Sequence, residues 1–241
     1  MRSFATKFAL LVGLGTFALG ACRKDKTEPS QPEYADWYAL RAPENRAIQA
    51  VAGNIDSTLV ISTLFSIYQT KDRGKTWLPT NYKDRIGVQG FLQRGDTLLA
   101  MTASSGAATP TSIAYAINPT YFSLDKGATW QPYRWRGRYN QEPRAILNRV
   151  TSPAGISYEM ELRLTPTQPG SSSSYVETIG ITNALGARLV LPHDHTMTSI
   201  AFDKQSRLYV TASAVLCGSL NKAAPCGEQN GVLYVSKKPQ P

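Results

Sequence analysis

The chain has 241 residues, 42% of them apolar and 18% charged, with 18 Gly and 15 Pro, a composition that can bury a core and turns often. The formal net charge is +9. No segment has the pattern of a nucleic-acid-binding motif, so that charge does not imply nucleic acid as a partner.

Arg2 and Lys7 precede an apolar run, Phe8 to Leu19, whose 12 residues are too few to span a bilayer. A positive start, a short apolar run and small residues after it form the pattern of a secretory signal. The run ends in Leu19-Gly20-Ala21-Cys22, which resembles a bacterial lipobox. That resemblance implies cleavage before Cys22, acyl chains such as palmitate on Cys22, and attachment to a membrane surface rather than passage through it. The alternative is an ordinary secretory peptide that ends near a cysteine. Arg23 stands where enteric lipoproteins retained at the inner membrane carry Asp, so the resemblance favours the outer membrane, on its periplasmic or surface face. Residues 23–32 (RKDKTEPSQP) are polar and Pro-punctuated, the composition of a solvated tether. The expected organisation is a signal at 1–21, lipidated Cys22 and tether at 22–33, and a folded domain at 34–241. Without residues 1–21 the chain keeps 24 basic and 17 acidic residues, a net +7. That charge suits adhesion to anionic envelope lipid or glycan, and equally a merely soluble surface.

One eight-residue phrase then occurs twice, as Thr70-Lys71-Asp72-Arg73-Gly74-Lys75-Thr76-Trp77 and Ser123-Leu124-Asp125-Lys126-Gly127-Ala128-Thr129-Trp130. Gly between polar positions permits the left-handed backbone of a tight hairpin. An Asp two residues earlier can accept hydrogen bonds from the turn's own N–H groups. Thr and Trp suit the start of a half-buried strand, with the indole between neighbouring sheets. Thr70, Asp72, Gly74, Thr76, Trp77, Ser123, Asp125, Gly127, Thr129 and Trp130 are therefore structural in this reading. The frame resembles the Asp box, or bacterial neuraminidase repeat, of a large group of β-propellers, and the resemblance implies an all-β fold.

The frame continues in worn copies, at Thr182 to Leu189 with Ala184 in the Asp position, and at Ser236. Openings at 70, 123, 182 and 236 lie 53, 59 and 54 residues apart, a period that suits propeller blades. Short β-rich runs recur in each period. They are Ala47–Val51, Asp56–Ile61 and Ser66–Gln69 in the first, and Gly87–Leu92, Asp96–Met101 and Ala114–Phe122 in the second. The third has Ala145–Thr151, Tyr158–Leu164 and Tyr175–Ile181, and the fourth Thr198–Phe202, Arg207–Thr211 and Val232–Val235. The fourth copy lacks a strand after its turn, while Asp36 to Leu40 looks like the strands that follow the boxes. The expectation is a small propeller of about four four-stranded antiparallel blades, the N-terminal strand closing the last. A partial propeller, or one completed by a second chain, stays open, as does the oligomeric state.

Four features bear on chemistry. Tyr133 to Tyr139 interleaves aromatics with arginines, so Arg134, Trp135, Arg136, Arg138 and Tyr139 are candidate ligand-binding residues for anionic glycan or an acidic protein surface. The alternative is an outer strand with packed aromatics and wet arginines. Glu142, Glu159, Glu161 and Glu177 fall in the third period, where Glu159 and Glu161 can share a strand face. His193-Asp194-His195 holds both histidines but has no third ligand type nearby, so no metal or other cofactor is expected. Cys217 and Cys226 most simply form a disulfide in an exported protein, a two-cysteine metal pair being the alternative.

The resemblance also implies an activity to consider, since sialidases carry the same box. Their arginine triad and Tyr–Glu pair are not matched: Arg41-Ala42-Pro43 only approximates their Arg-Ile-Pro, and Tyr158 and Glu159 would face opposite ways. The expected function is a lipid-anchored, non-catalytic binding or scaffold module for glycan or envelope protein. The alternative is a carbohydrate-active enzyme of the sialidase-like glycoside hydrolase type, or its degenerate relative.

Overall fold

Runs rich in Val, Ile, Leu and Tyr between polar turns become strands, each pairing antiparallel with a neighbour. The computed structural model describes residues 33–106, 109–137, 141–217 and 224–241. The chain divides into Met1–Ser30 and Gln31–Pro241, and every described residue belongs to the second unit. The signal, Cys22 and most of the tether therefore lie outside the described residues, as do Arg138 and Tyr139.

The first strand, β1 (Trp37–Arg41), pairs with the end of the chain rather than with the strand that follows it. Blade 1 follows as β2 (Ala50–Gly53), β3 (Leu59–Ser62), β4 (Ile67–Thr70) and β5 (Leu78–Pro79). Blade 2 is β6 (Gly90–Arg94), β7 (Thr97–Ser105) and β8 (Tyr115–Ser123). The outer edge of β8 is shared by β9 (Gln131–Pro132) at one end and β10 (Ala145–Ile146) at the other. Blade 3 is β11 (Arg149–Thr151), β12 (Ser157–Pro166), β13 (Ser174–Asn183) and β14 (Arg188–Leu189). Blade 4 starts with β15 (Met197–Phe202) and β16 (Leu208–Ala212). A side hairpin, β17 (Leu216–Cys217) with β18 (Ala224–Pro225), interrupts it before β19 (Val232–Ser236).

The four small sheets make a four-bladed, all-β propeller whose first strands neighbour one another around the centre. Closure comes from β1, which lies on β19 with Trp37 opposite Ser236 and Arg41 opposite Val232. Ala42 N to Gly231 O and Lys237 N to Asp36 O, both 2.8 Å, extend that pairing at its two ends. The expected ring closure is thus present, and the edge that β19 would otherwise expose is covered.

The core is divided among the seams. Tyr158, Met160 and Ile181 of blade 3 pack with Ile200, Leu208 and Tyr234 of blade 4. Leu40 and Val235 of blade 4 pack with Leu59 and Ile61 of blade 1. Val60 and Ile67 of blade 1 meet Leu98 and Ala100 of blade 2. Near the centre the seams are hydroxyl bonds: Thr198 Oγ1 donates to Ile48 O at 2.5 Å and Ser62 Oγ to Val88 O at 2.9 Å. No buried side-chain polar atom among the described residues lacks a partner.

Two sequence readings are corrected in detail. Residues 145–151 do not form one strand of the third blade, because Asn148 ties this stretch to blade 2. Its amide donates to Ser112 O at 2.8 Å and accepts from Ala114 N at 2.9 Å, so Ala145–Ile146 joins β8 and blade 3 begins at Arg149. In the third copy of the phrase, Asn183 rather than residue 184 clamps the turn. Its Oδ1 accepts from Leu185 N at 3.0 Å and Ala187 N at 2.9 Å. A short polar side chain at a turn start satisfies such amides from either register, and Asn supplies the same acceptor as Asp.

Candidate functional site

The octapeptide's spacing is explained atom by atom. Thr70 Oγ1 donates to Asp72 Oδ1 at 2.8 Å and accepts from Gly74 N at 2.9 Å. Asp72 also accepts from Thr76 N at 2.9 Å and Thr76 Oγ1 at 2.5 Å. Ser123, Asp125, Gly127 and Thr129 repeat these four bonds at 2.7, 2.8, 2.9 and 2.6 Å. Arg73 and Gly74, like Lys126 and Gly127, both have positive φ, the pattern of a type I′ hairpin turn. The Thr76 hydroxyl and amide, with the Thr70 hydroxyl, hold the Asp72 pKa at about 2. Burial opposes the same effect at Asp125, but the Thr129 and Ser123 bonds outweigh it and keep that carboxyl below its usual range.

Each turn is also a staple onto the preceding blade. A β-carbon on Gly74 would lie 2.8 Å from Leu40 of blade 4, and one on Gly127 would lie 2.7 Å from Val60 of blade 1. The indoles follow the same rule. Trp77 donates to Arg41 O at 3.0 Å across the blade 1–4 seam. Trp130, only 4% exposed, packs in the blade 1–2 seam and stacks on Phe91 at 5.5 Å. Trp37 of β1 donates to Val190 O at 3.2 Å and sits in the blade 3–4 cluster. These acids and rings are engaged by the fold.

The described part of the aromatic–arginine stretch, residues 133–137, is irregular rather than a strand. Tyr133 packs edge-on against Phe122 at 6.2 Å, and Trp135 folds back over Gly137. Arg134 and Arg136 are exposed and make no ion pair among the described residues. Cys217 and Cys226 form a disulfide, Cα atoms 5.2 Å apart, across the β17–β18 hairpin.

A cleft of about 940 Å³ opens on blade 3. One wall is β13, from Tyr175 to Gly180, and the other is the 188–197 segment with Leu216. Its polar centre is Glu177. Arg163 Nη2 donates to Oε2 at 2.9 Å, the Thr165 hydroxyl shares that oxygen, and the Tyr175 hydroxyl donates to Oε1 at 3.1 Å. Burial raises the Glu177 pKa, but these three donors outweigh it and lower it overall. Desolvation and Glu177 push the Tyr175 hydroxyl up, so that phenol stays protonated. Arg188 Nε pairs with Glu161 at 2.9 Å, and Arg149 Nε with Glu159 at 2.9 Å. Glu159 and Glu161 are thus each engaged in a separate ion pair. Tyr158 turns into the core while Glu159 faces solvent.

The His193 and His195 rings serve different neighbours. His193 Nε2 and the Tyr34 hydroxyl are 2.9 Å apart. His195 is buried between Ser213 O, 2.8 Å from Nδ1, and the Tyr234 hydroxyl, 2.9 Å from Nε2. Burial pushes its pKa down. Among the described residues, no three His, Cys, Asp or Glu are grouped to hold a metal ion.

The Glu177 network escaped the sequence reading as a unit. A signal was present in the two ten-residue strands around residues 167–173, longer than a blade needs, with Arg163/Thr165 and Tyr175/Glu177 at strand period. No protein-family model matches the chain. No curated protein matches it. Among solved structures, YCF48 from Cyanidioschyzon merolae is similar over 81% of this chain and 75% of its own, with 11% identity and TM-score 0.34. The extracellular domain of the one-component system BT4673 from B. thetaiotaomicron is similar over 74% of this chain, with 15% identity and TM-score 0.28. This chain spans 27% of that structure's length.

Proposed function

We propose that this chain is a propeller of the Asp-box kind, carried on a lipidated Cys22 and a short tether at the bacterial envelope, where it binds glycan or protein without catalysis. The observation that carries the binding reading is the blade 3 cleft. It is open and large, yet its acid, phenol and guanidinium groups are locked into one another around Glu177 rather than aimed at a shared reacting point. Such fixed groups recognise shape and hydrogen bonds well and transfer protons poorly. The exposed Arg134 and Arg136 beside Trp135 offer a second, anion-seeking surface for acidic sugars or an acidic protein face. The lipobox-like Leu19-Gly20-Ala21-Cys22 supports the anchor, and Arg23 favours the outer membrane.

A glycan array with the purified protein, together with affinity capture from the membrane fraction, tests the reading. Retention of acidic glycans or an envelope protein, lost on Arg134→Ala with Trp135→Ala while the fold survives, is the expected result. Hydrolysis of any arrayed glycan would overturn the non-catalytic reading. Cys22→Ser should release the protein from membranes, and continued membrane fractionation would refute lipidation.

A further inference from the structure

The two full copies of the octapeptide share a turn but not a surface. Their four closing bonds agree to within 0.1 Å, and all four are made by the first, third, fifth and seventh residues of the frame. The second, fourth and sixth side chains are left over. In the first copy they are Lys71, Arg73 and Lys75, and in the second Leu124, Lys126 and Ala128. Three cations on one turn are therefore no requirement of its folding. Their mutual repulsion is a cost that the second copy avoids.

The three cations line one concavity of about 370 Å³ with Ile55, Asp56 and Asp72. The turn that carries Ile55 and Asp56 is fixed across the blade 1–4 seam. Asn54 Nδ2 donates to Asp203 Oδ2 at 3.1 Å, and Ile55 N donates to the Tyr209 hydroxyl at 3.0 Å. Both carboxylates of the concavity are already engaged. Asp72 closes its own turn, and Asp56 takes Arg73 on one oxygen, at 2.5 Å, and Arg207 on the other. The Arg207 bond, with that from Arg73, lowers the Asp56 pKa against the effect of burial. One carboxylate between two guanidinium groups leaves a positive charge over. Lys71 and Lys75 are exposed and pair with no acid among the described residues. Lys237 extends the positive region, its Nζ 5.5 Å from the centre of the Tyr38 ring that Arg73 Cζ approaches at 5.7 Å, although Lys237 also reaches Glu33 at 3.6 Å.

We propose that this concavity binds a phosphate monoester, with the Lys71 and Lys75 ammonium groups on its terminal oxygens and Arg73, held by Asp56, beside them. The chemistry of the cations selects the class of ligand. A planar carboxylate is best met by an uncommitted arginine fork, and the Arg73 fork is spent on Asp56. A lysine is a point charge with three rotatable donors, which suits the three terminal oxygens of a phosphate. The concavity is open, so the phosphate can arrive on a small soluble ester or on a lipid headgroup. The site shares no residue with the blade 3 cleft or with Arg134 and Trp135, and it is independent of the function proposed above.

The test is calorimetric titration of the full-length protein with glycerol 3-phosphate, alongside flotation on phosphatidylcholine vesicles with and without phosphatidic acid. Both probes present a phosphate monoester, one in solution and one at a lipid surface, so the pair identifies its source. Retention on vesicles counts only as the excess over phosphatidylcholine alone. Lys71→Ala with Lys75→Ala should weaken whichever probe binds at least tenfold, with an unchanged thermal midpoint, because both side chains are exposed. Lys126→Ala, on the matching turn of the second copy, should leave binding as it was. Affinity should fall between pH 7.5 and 5, because the ester loses its second charge at about pH 6 while the lysines keep theirs. Saturable binding of neither probe would overturn the proposal. So would binding that survives the double lysine variant, or that Lys126→Ala weakens equally, since attraction by net charge alone behaves in that way.

Discussion

Gly127 and Gly186 have nearly the same left-handed backbone, φ +85° and +81°, in entirely different surroundings. At Gly186 no atom lies within 4 Å of where a β-carbon would go, whereas at Gly127 it would meet Val60 Cγ2 at 2.7 Å and Cγ1 at 3.1 Å. Gly186→Ala should therefore cost only the left-handed penalty, about 1–2 kcal/mol. Gly127→Ala carries that penalty plus the cost of forcing a methyl group into a packed seam, about 1–3 kcal/mol more. Val60 is fully buried in the middle strand of blade 1 and is poorly placed to yield. Urea unfolding of the two variants, with m-values compared to confirm a common transition, measures the difference. At about 2–4 °C per kcal/mol for a domain of this size, thermal midpoints should also separate clearly. Equal losses would refute the idea that the octapeptide glycine is a contact between blades rather than a turn residue alone.

Trp37→Ala should destabilise the protein by about 3–5 kcal/mol, because its indole fills the blade 3–4 seam; a midpoint shift no larger than that of a surface alanine would contradict this role. His195 is held neutral in the fold by burial, so the unfolded chain binds more protons as pH falls through 6.5. Stability should be complete above that pH and decline below it, and His195→Gln should flatten the slope between pH 7.5 and 5.5. Asp72 works in a lower window: its contribution is complete above pH 3.8 and is lost as pH falls towards 2, so Asp72→Asn should shrink the acid-induced drop in thermal midpoint over that range. Opening the Cys217–Cys226 link by Cys→Ser at both positions should cost at most about 2.7 kcal/mol on loop-entropy grounds, read by urea midpoint with and without reductant.

The architecture was legible because it rests on local chemistry. A Gly flanked by polar residues, an Asp two places earlier and a Trp three places later specify a hairpin without reference to the rest of the chain, and two copies fix the period. The closing strand was legible for a similar reason, since Trp37 is followed by the same kind of short apolar run. Blade 3 was less so. Its turn uses Asn183, one place away from the frame, and residues 145–148 were drawn out of it by the Asn148 side chain, a contact between residues more than 30 apart. Glu177, Arg163 and Tyr175 come together only through the register of β12 and β13, and a bulge at Glu161/Leu162 changes which residues share a face beyond it. No sequence period announces a bulge.

The pairing of β1 with β19 also sets an order of events. Trp37 to Arg41 is synthesised long before Val232 to Ser236 exists to receive it, so the opening strand lacks its partner until the rest of the chain has been made. The last contact to be made is the one that spans nearly the whole domain, the slow kind of closure in a β topology. During that wait Trp37, Ala39 and Leu40 are bare apolar residues, a natural hold for a chaperone. A circular permutant that carries residues 33–41 after Pro241 through a short linker would remove the wait while keeping the pairing from Trp37–Ser236 to Arg41–Val232.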